Sequence, residues 1–183
     1  MSLPPLPHTP PPAIQILLSL IVIPAAVLDI QTRRIPNWLS LSGIVVGLLL
    51  NTFLGEVDGL WFSLKGLGVA FVIYFVLYLL HGMGAGDVKL MAAVGAASGP
   101  MYWFLILILT SLIGAVAGLI LIAVKGRFRK TVDNILLILI SLRHATAPYK
   151  GHPQLDVRSG EALRLPHAVM IACGTLLAIW APR

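Results

Sequence analysis

The sequence contains few charged residues and almost no cysteine, and each shortage excludes a class of protein. Only 11% of the 183 residues are charged, whereas 58% are hydrophobic, and the mean hydropathy is +0.93. Soluble domains carry about 25% charged residues, so the composition excludes an ordinary soluble domain and indicates a protein of the lipid bilayer. The single cysteine, Cys173, excludes an internal disulfide and a cysteine-rich zinc site.

Acidic residues are also scarce, with seven Asp and Glu against 13 Lys and Arg, which gives a net charge of +6. An excess of positive charge can mark a nucleic-acid-binding surface, but that requires a basic patch on a soluble face. In a membrane protein the same excess marks the cytoplasmic loops. We therefore expect a lipid bilayer around the chain and no nucleic-acid partner.

Long apolar runs predict an all-α, polytopic membrane protein with a bundle of about six transmembrane helices. We expect residues 1–12 to form a flexible, Pro-rich tail and residues 13–183 to form one membrane-embedded domain. A spanning helix needs about 20 mainly apolar residues. The fourth run is shorter and rich in small residues, so we expect a helix enclosed by its neighbours. The predicted spans are 13–30, 38–54, 60–80, 87–99, 101–124 and 165–181.

A polar stretch between the fifth and sixth spans contains one further apolar run, "NILLILISL", at residues 134–142. This run is too short to cross a bilayer. Basic residues flank it on both sides, which is typical of a helix lying in the membrane interface. We predict a cytoplasmic interfacial helix over residues 131–143.

The distribution of charge predicts the orientation of the bundle. With six spans, the basic residues collect in loops on one side, whereas the loop between the second and third spans carries Glu56 and Asp58. Lys and Arg concentrate in cytoplasmic loops, so we expect the N-terminus outside and the basic loops in the cytoplasm. The basic residues of those loops are Arg33, Arg34, Lys125, Arg127, Arg129, Lys130, Arg143, Lys150, Arg158 and Arg164.

Two acids, Asp29 and Asp87, lie at the ends of apolar segments, near the same predicted face of the membrane. Singly, each has an ordinary structural interpretation: Asp29 is spaced for an ion pair with Arg33, and Asp87 could be a helix N-cap. Together they suggest a site, because ionisable residues bordering a membrane segment are costly. Two facing carboxylates share a proton and can activate water for peptide hydrolysis without a metal or cofactor.

The sequence around these acids resembles the type IV prepilin peptidases, a family of membrane aspartic proteases. "GAGD" at residues 84–87 matches the G-x-G-D signature, and it follows an Asp at the end of the first span, basic residues and "IPN" at 35–37. The resemblance implies that Asp29 and Asp87 are catalytic and remove the basic leader of prepilin-like substrates at the cytoplasmic face of the inner (plasma) membrane. Glycine permits close backbone approach, so Gly84 and Gly86 are predicted substrate-binding or loop residues. Lys89, which follows the signature, is included in this prediction.

The same resemblance carries two further expectations. Longer family members have a cytoplasmic insertion with paired cysteines, linked to N-methylation, whereas the first cytoplasmic loop here is "QTRRIPN". A short, peptidase-only form without methyltransferase activity is therefore expected. Family members also keep a Pro-containing segment opposite the acids, which here is "LRLPHAVM" at residues 163–170.

Two other functions are compatible with the residues alone. The first alternative is a small transporter subunit in which the same carboxylates carry protons or cations. The second is a structural membrane subunit of a secretion assembly, in which neither acid has a chemical role. The absence of an internal repeat argues against the transporter.

Overall fold

A computed structural model describes residues 9–80, 83–126, 133 and 166–180. Four α-helices have defined bounds in these ranges: α1 (Pro12–Thr32), α2 (Asn37–Leu79), α3 (Ala85–Lys125) and α4 (His167–Trp180). The described residues are all-helical and belong to a polytopic membrane protein, in which α1, α2 and α3 are long and apolar enough to cross a bilayer. Most of the predicted tail and, apart from Asp133, the predicted interfacial helix lie outside the described residues.

Helix α1 begins one residue earlier than predicted, at Pro12. Proline is tolerated in the first helical turn, where its missing N–H has no intrahelical partner in any case. The helix ends at Thr32, and its C-cap, Arg33, takes a left-handed conformation with φ of 54°. The Arg33 backbone N–H donates to the Asp29 carbonyl at 3.0 Å. The chain then turns through Ile35 and Pro36 into α2.

Helix α2 is interrupted at Gly55 and Glu56, whose backbone angles are not helical. Its two halves correspond to the predicted spans 38–54 and 60–80, and they run in opposite directions along the first half of α3. In the first half of α2, Gly43 lies beside Ala93 and Gly47 lies beside Ala97. In the second half, Gly66 lies beside both Gly95 and Gly99. The Glu56 region is therefore a reversal of the chain, as the two predicted spans required.

Helix α3 is interrupted at Gly99, which has a φ of +71° and is followed by Pro100. Only glycine adopts this φ readily, and the Phe62 ring occupies the space of a Cβ. Pro100 has no N–H for the carbonyl four residues earlier, Ala96. Two side chains from α2 replace that donor, since Asn51 Nδ2 donates to Ala96 O at 3.0 Å and Ser63 Oγ donates to the same oxygen.

The first half of α3 is the centre of the bundle, since every residue from Leu90 to Gly99 is buried. Small residues there let both halves of α2 approach closely, as helix packing in membranes requires. Helix α4 packs against the second half of α3, where the Tyr102 hydroxyl donates to the Ala178 carbonyl. We call the end of the bundle with Gly55 and Gly99 the kink end, and the end with Asp29 and Asp87 the Asp end.

Candidate functional site

Asp29 lies three residues from the C-terminus of α1, with its side chain turned into the bundle and only 9% exposed. Its Oδ2 accepts a hydrogen bond of 3.1 Å from the backbone N–H of Ala168. Ala168 is the second residue of α4, whose first N–H groups have no intrahelical partner. The carboxylate of α1 therefore caps the N-terminus of α4, where the helix dipole favours negative charge.

Asp87 lies in the first turn of α3, and its Oδ2 accepts the backbone N–H of Gly84 at 3.3 Å. The N-cap of α3 is Gly84, so the N-cap interpretation of Asp87 is wrong by three residues. Asp87 instead occupies the third helical position, from which an acidic side chain reaches back to the N-cap N–H, as in the reciprocal half of a capping box. Its carboxylate is thereby held beside the first turn of α3.

The two acids, which belong to different helices, lie close enough at the Asp end to interact electrostatically. Asp87 interacts electrostatically with Asp29, which repels its negative charge, and with His167, which attracts it. Tyr74, from the second half of α2, also interacts with Asp87. Helices α1, α2, α3 and α4 each contribute one ionisable side chain to this cluster, which we call the four-helix site: Asp29, Tyr74, Asp87 and His167.

The glycines of the predicted signature have a packing role that the structure makes visible. A Cβ on Gly86 would lie 3.2 Å from Ile35 Cβ, and a Cβ on Gly84 would lie 3.3 Å from Asp87 Oδ2. Gly86 thus lets the first turn of α3 press against the loop between α1 and α2. The role of Gly84 and Gly86 in binding substrate stays a prediction.

Lys89 contacts the start of α2, and its predicted role in binding substrate stays a prediction. Its Nζ donates a hydrogen bond of 2.9 Å to Asn37 Oδ1, at the solvent-exposed start of α2. The N-cap of that helix is Pro36, and Asn37 is its first helical residue. The Asn37 side chain therefore joins α2 to α3 instead of capping its own helix.

Tyr74 and His167 were not singled out from the sequence. Tyr74 is 1% exposed, and its ring centroid lies 6.3 Å from that of His167. The position of His167 in the expected Pro-containing segment was the available signal, since Pro166 directly precedes it. His81 is close in sequence to the G-x-G-D signature, and it lies outside the described residues.

The four-helix site contains oxygen and nitrogen groups suited to proton transfer. Within the described ranges, no group of three or more His, Cys, Asp or Glu side chains has the arrangement of a metal site. The cluster offers two carboxylates of separate helices, one imidazole and one phenol. Such a set can hold and move protons around a bound water.

Comparison with known proteins gives a consistent set of relatives. Residues 16–119 match the model of the type IV leader peptidase family. The chain is 36% identical to a prepilin leader peptidase/N-methyltransferase of Legionella pneumophila over 125 residues, 65% of this chain and 42% of that protein. It is 33% identical to the Escherichia coli K12 protein of the same description over 99 residues, 51% of this chain and 44% of that protein.

An archaeal protein, the preflagellin peptidase of Methanococcus voltae, is 34% identical over 92 residues, 48% of this chain and 38% of that protein. The matched region is therefore less than half the length of each of these relatives. No solved structure matches the chain. The matched residues 16–119 include both Asp29 and Asp87.

Proposed function

Because the chain belongs to the type IV leader peptidase family, we propose that it is an integral-membrane aspartic endopeptidase that removes the basic leader peptide from prepilin-like proteins. The observation that carries the proposal is the meeting of Asp29 and Asp87 at one end of the bundle. The relatives described as prepilin leader peptidases and as a preflagellin peptidase support the substrate class.

In this mechanism the two carboxylates share one proton, because both ionise together only at a cost when they lie close. The ionised carboxylate takes a proton from a water molecule, and the resulting hydroxide attacks the scissile carbonyl carbon. The protonated carboxylate gives its proton to the carbonyl oxygen. Collapse of the tetrahedral intermediate breaks the C–N bond as the leaving amine takes a proton, and no covalent enzyme intermediate forms.

The backbone donors of Ala168 and Gly84 suit this chemistry. Each binds one carboxylate oxygen, at 3.1 Å for Asp29 and 3.3 Å for Asp87. Hydrogen bonds from fixed N–H groups hold the orientation of a carboxylate without supplying a counter-ion that would compete for its charge. The pair is thereby oriented for water activation before substrate arrives.

The Asp end faces the cytoplasm in this proposal. Arg33 and Arg34 follow α1 at that end, and Lys89 lies two residues after Asp87, whereas Glu56 and Asp58 lie at the kink end. Basic residues favour the cytoplasmic side. An active site there would meet the basic leaders of prepilins at the cytoplasmic face of the membrane.

The test is cleavage of a co-expressed or reconstituted prepilin-like substrate, followed by mass spectrometry of its N-terminus. We expect leader removal by the wild-type chain and its loss in both Asp29→Asn and Asp87→Asn, each of which still inserts in the membrane. Asp58→Asn, an exposed acid at the kink end, serves as the matched control. Wild-type cleavage rates in either site variant would refute the paired-acid mechanism.

The same mass spectrum reports methylation of the new N-terminus. We propose a peptidase without methyltransferase activity, because the loop between α1 and α2 is short and Cys173 is the single cysteine. A mass of the mature substrate increased by one methyl group would overturn this part of the proposal. It would leave the peptidase assignment intact.

A further inference from the structure

His167 has a buried nitrogen that the peptidase mechanism does not use. Within the described part of the chain, its Nε2 is shielded from solvent and has no hydrogen-bond partner. A buried polar atom without a partner costs free energy, so its presence requires an explanation. The ring packs against Tyr74 with centroids 6.3 Å apart and planes inclined by 46°. This packing explains the position of the ring, but it does not explain why Nε2 is buried without a partner.

Helices α1, α2 and α3 each place an ionisable side chain near His167. From α3, Asp87 attracts a charged imidazole. From α1, Asp29 accepts the N–H of Ala168, the residue after His167. From α2, the buried Tyr74 lies against the ring. The imidazole is therefore the cationic partner available within the cluster to a pair of carboxylates that repel one another.

We propose that His167 is a positioning residue that sets how firmly the Asp29–Asp87 pair holds its shared proton. This inference rests on the proposed peptidase function, and it adds the group that fixes the pH range of that function. A positively charged imidazole beside Asp87 stabilises the ionised carboxylate and so favours release of the shared proton. A neutral imidazole removes this attraction and leaves the proton with the pair. In this proposal His167 acts through Asp87 and not directly on the scissile bond or the attacking water.

The first test is the pH profile of kcat/KM for leader removal by the full chain. In His167→Gln the charge is lost, so we expect the alkaline limb to move to higher pH by about half a unit or more. His167→Phe also lacks the charge but keeps a ring against Tyr74, and we expect the same displacement. Cys173→Ser, on the exposed face of the same helix, is the control and keeps the wild-type profile.

A purely structural role predicts different results. If packing against Tyr74 were the whole function of His167, the Gln variant would lose activity at all pH values, and the Phe variant would retain the wild-type profile. Either a profile that superimposes on the wild type in both variants or a displacement in the Gln variant alone overturns the proposal.

A second measurement does not depend on cleavage. The imidazole ¹⁵N chemical shifts of His167, observed by NMR in ¹⁵N-histidine-labelled protein, are expected to differ between Asp87→Asn and the wild type at the same pH. Identical chemical shifts would refute the coupling between His167 and Asp87. Absence of cleavage by the wild-type chain would instead refute the peptidase function, so the two failures are distinguishable.

Discussion

Gly66 of α2 and Gly95 of α3 touch through their backbones, and a Cβ on either residue would collide with the carbonyl oxygen of the other. A collision with backbone cannot be relieved by a side-chain rotation, so Gly95→Ala forces the helices apart. We expect a loss of about 1–3 kcal/mol of unfolding free energy, measured as a lower Tm in a fixed detergent.

The matched control for this substitution is Gly114→Ala on the same helix, where the Cβ would have no neighbour within 4 Å. Alanine favours a helix over glycine by about 1 kcal/mol at an exposed position, so this variant should be at least as stable as the wild type. Equal melting temperatures for Gly95→Ala and Gly114→Ala would contradict the close crossing of α2 and α3.

Asp29 has a structural effect that separates from its proposed chemistry. In Asp29→Ala the buried Ala168 N–H loses its acceptor, and an unsatisfied buried donor costs about 1–3 kcal/mol. In Asp29→Asn the amide oxygen can still accept that hydrogen bond. We therefore expect both variants to be inactive and the Ala variant to melt at the lower temperature. Equal stability of the two would show that Ala168 does not depend on this acceptor.

Asn51 supports the kink of α3. Its Nδ2 donates to the Ala96 and Ala97 carbonyls, both at 3.0 Å. Asn51→Leu keeps a similar volume but leaves the Ala97 oxygen without this donor, so we expect a loss of about 1–3 kcal/mol of stability. Thr52→Val is the control, because the Thr52 hydroxyl donates to Leu48 O of its own helix. A result of equal cost for both variants would argue that the kink needs no support from α2.

Gly86 sets the position of the first turn of α3 against Ile35. In Gly86→Val the added side chain meets Ile35, whose Cβ lies 3.2 Å from the position of a Cβ on Gly86, and Asp87 is displaced with the turn. We expect at least a tenfold fall in kcat/KM for leader removal, since small displacements of a catalytic group are costly. Ile35→Ala in the same chain removes the obstruction and should restore part of the rate. No recovery in the double variant would place the defect elsewhere.

Much of the architecture follows from the apolar pattern, because membrane spans need long runs of apolar residues that are easily recognised. The predicted breaks near residues 55–59 and 100 coincide with the interruptions of α2 and α3. The sequence also selected Asp29 and Asp87, since acids are rare in such a chain. The N-cap of α3 was misplaced because both Gly84 and Asp87 are compatible with a helix start, and only the backbone decides between them.

The remaining site residues could not be found from spacing. Tyr74 lies in a run of aromatic and apolar residues, "FVIYFVLYLL", in which neither period nor composition distinguishes it from Tyr78. His167 is far from both acids along the chain, and its proximity to Asp87 depends on how α4 packs. That packing depends in turn on Gly174, where a Cβ would meet the backbone of Thr110 at 2.7 Å.

The contact that orients Asp29 comes from the main chain, and this has a consequence for protein engineering. Any amino acid except proline offers the same donor at position 168, but Ala168 is fully buried, so only a small side chain fits there while the acid keeps its bond. Libraries at this position would therefore record tolerance of small residues and failure of proline and of large side chains.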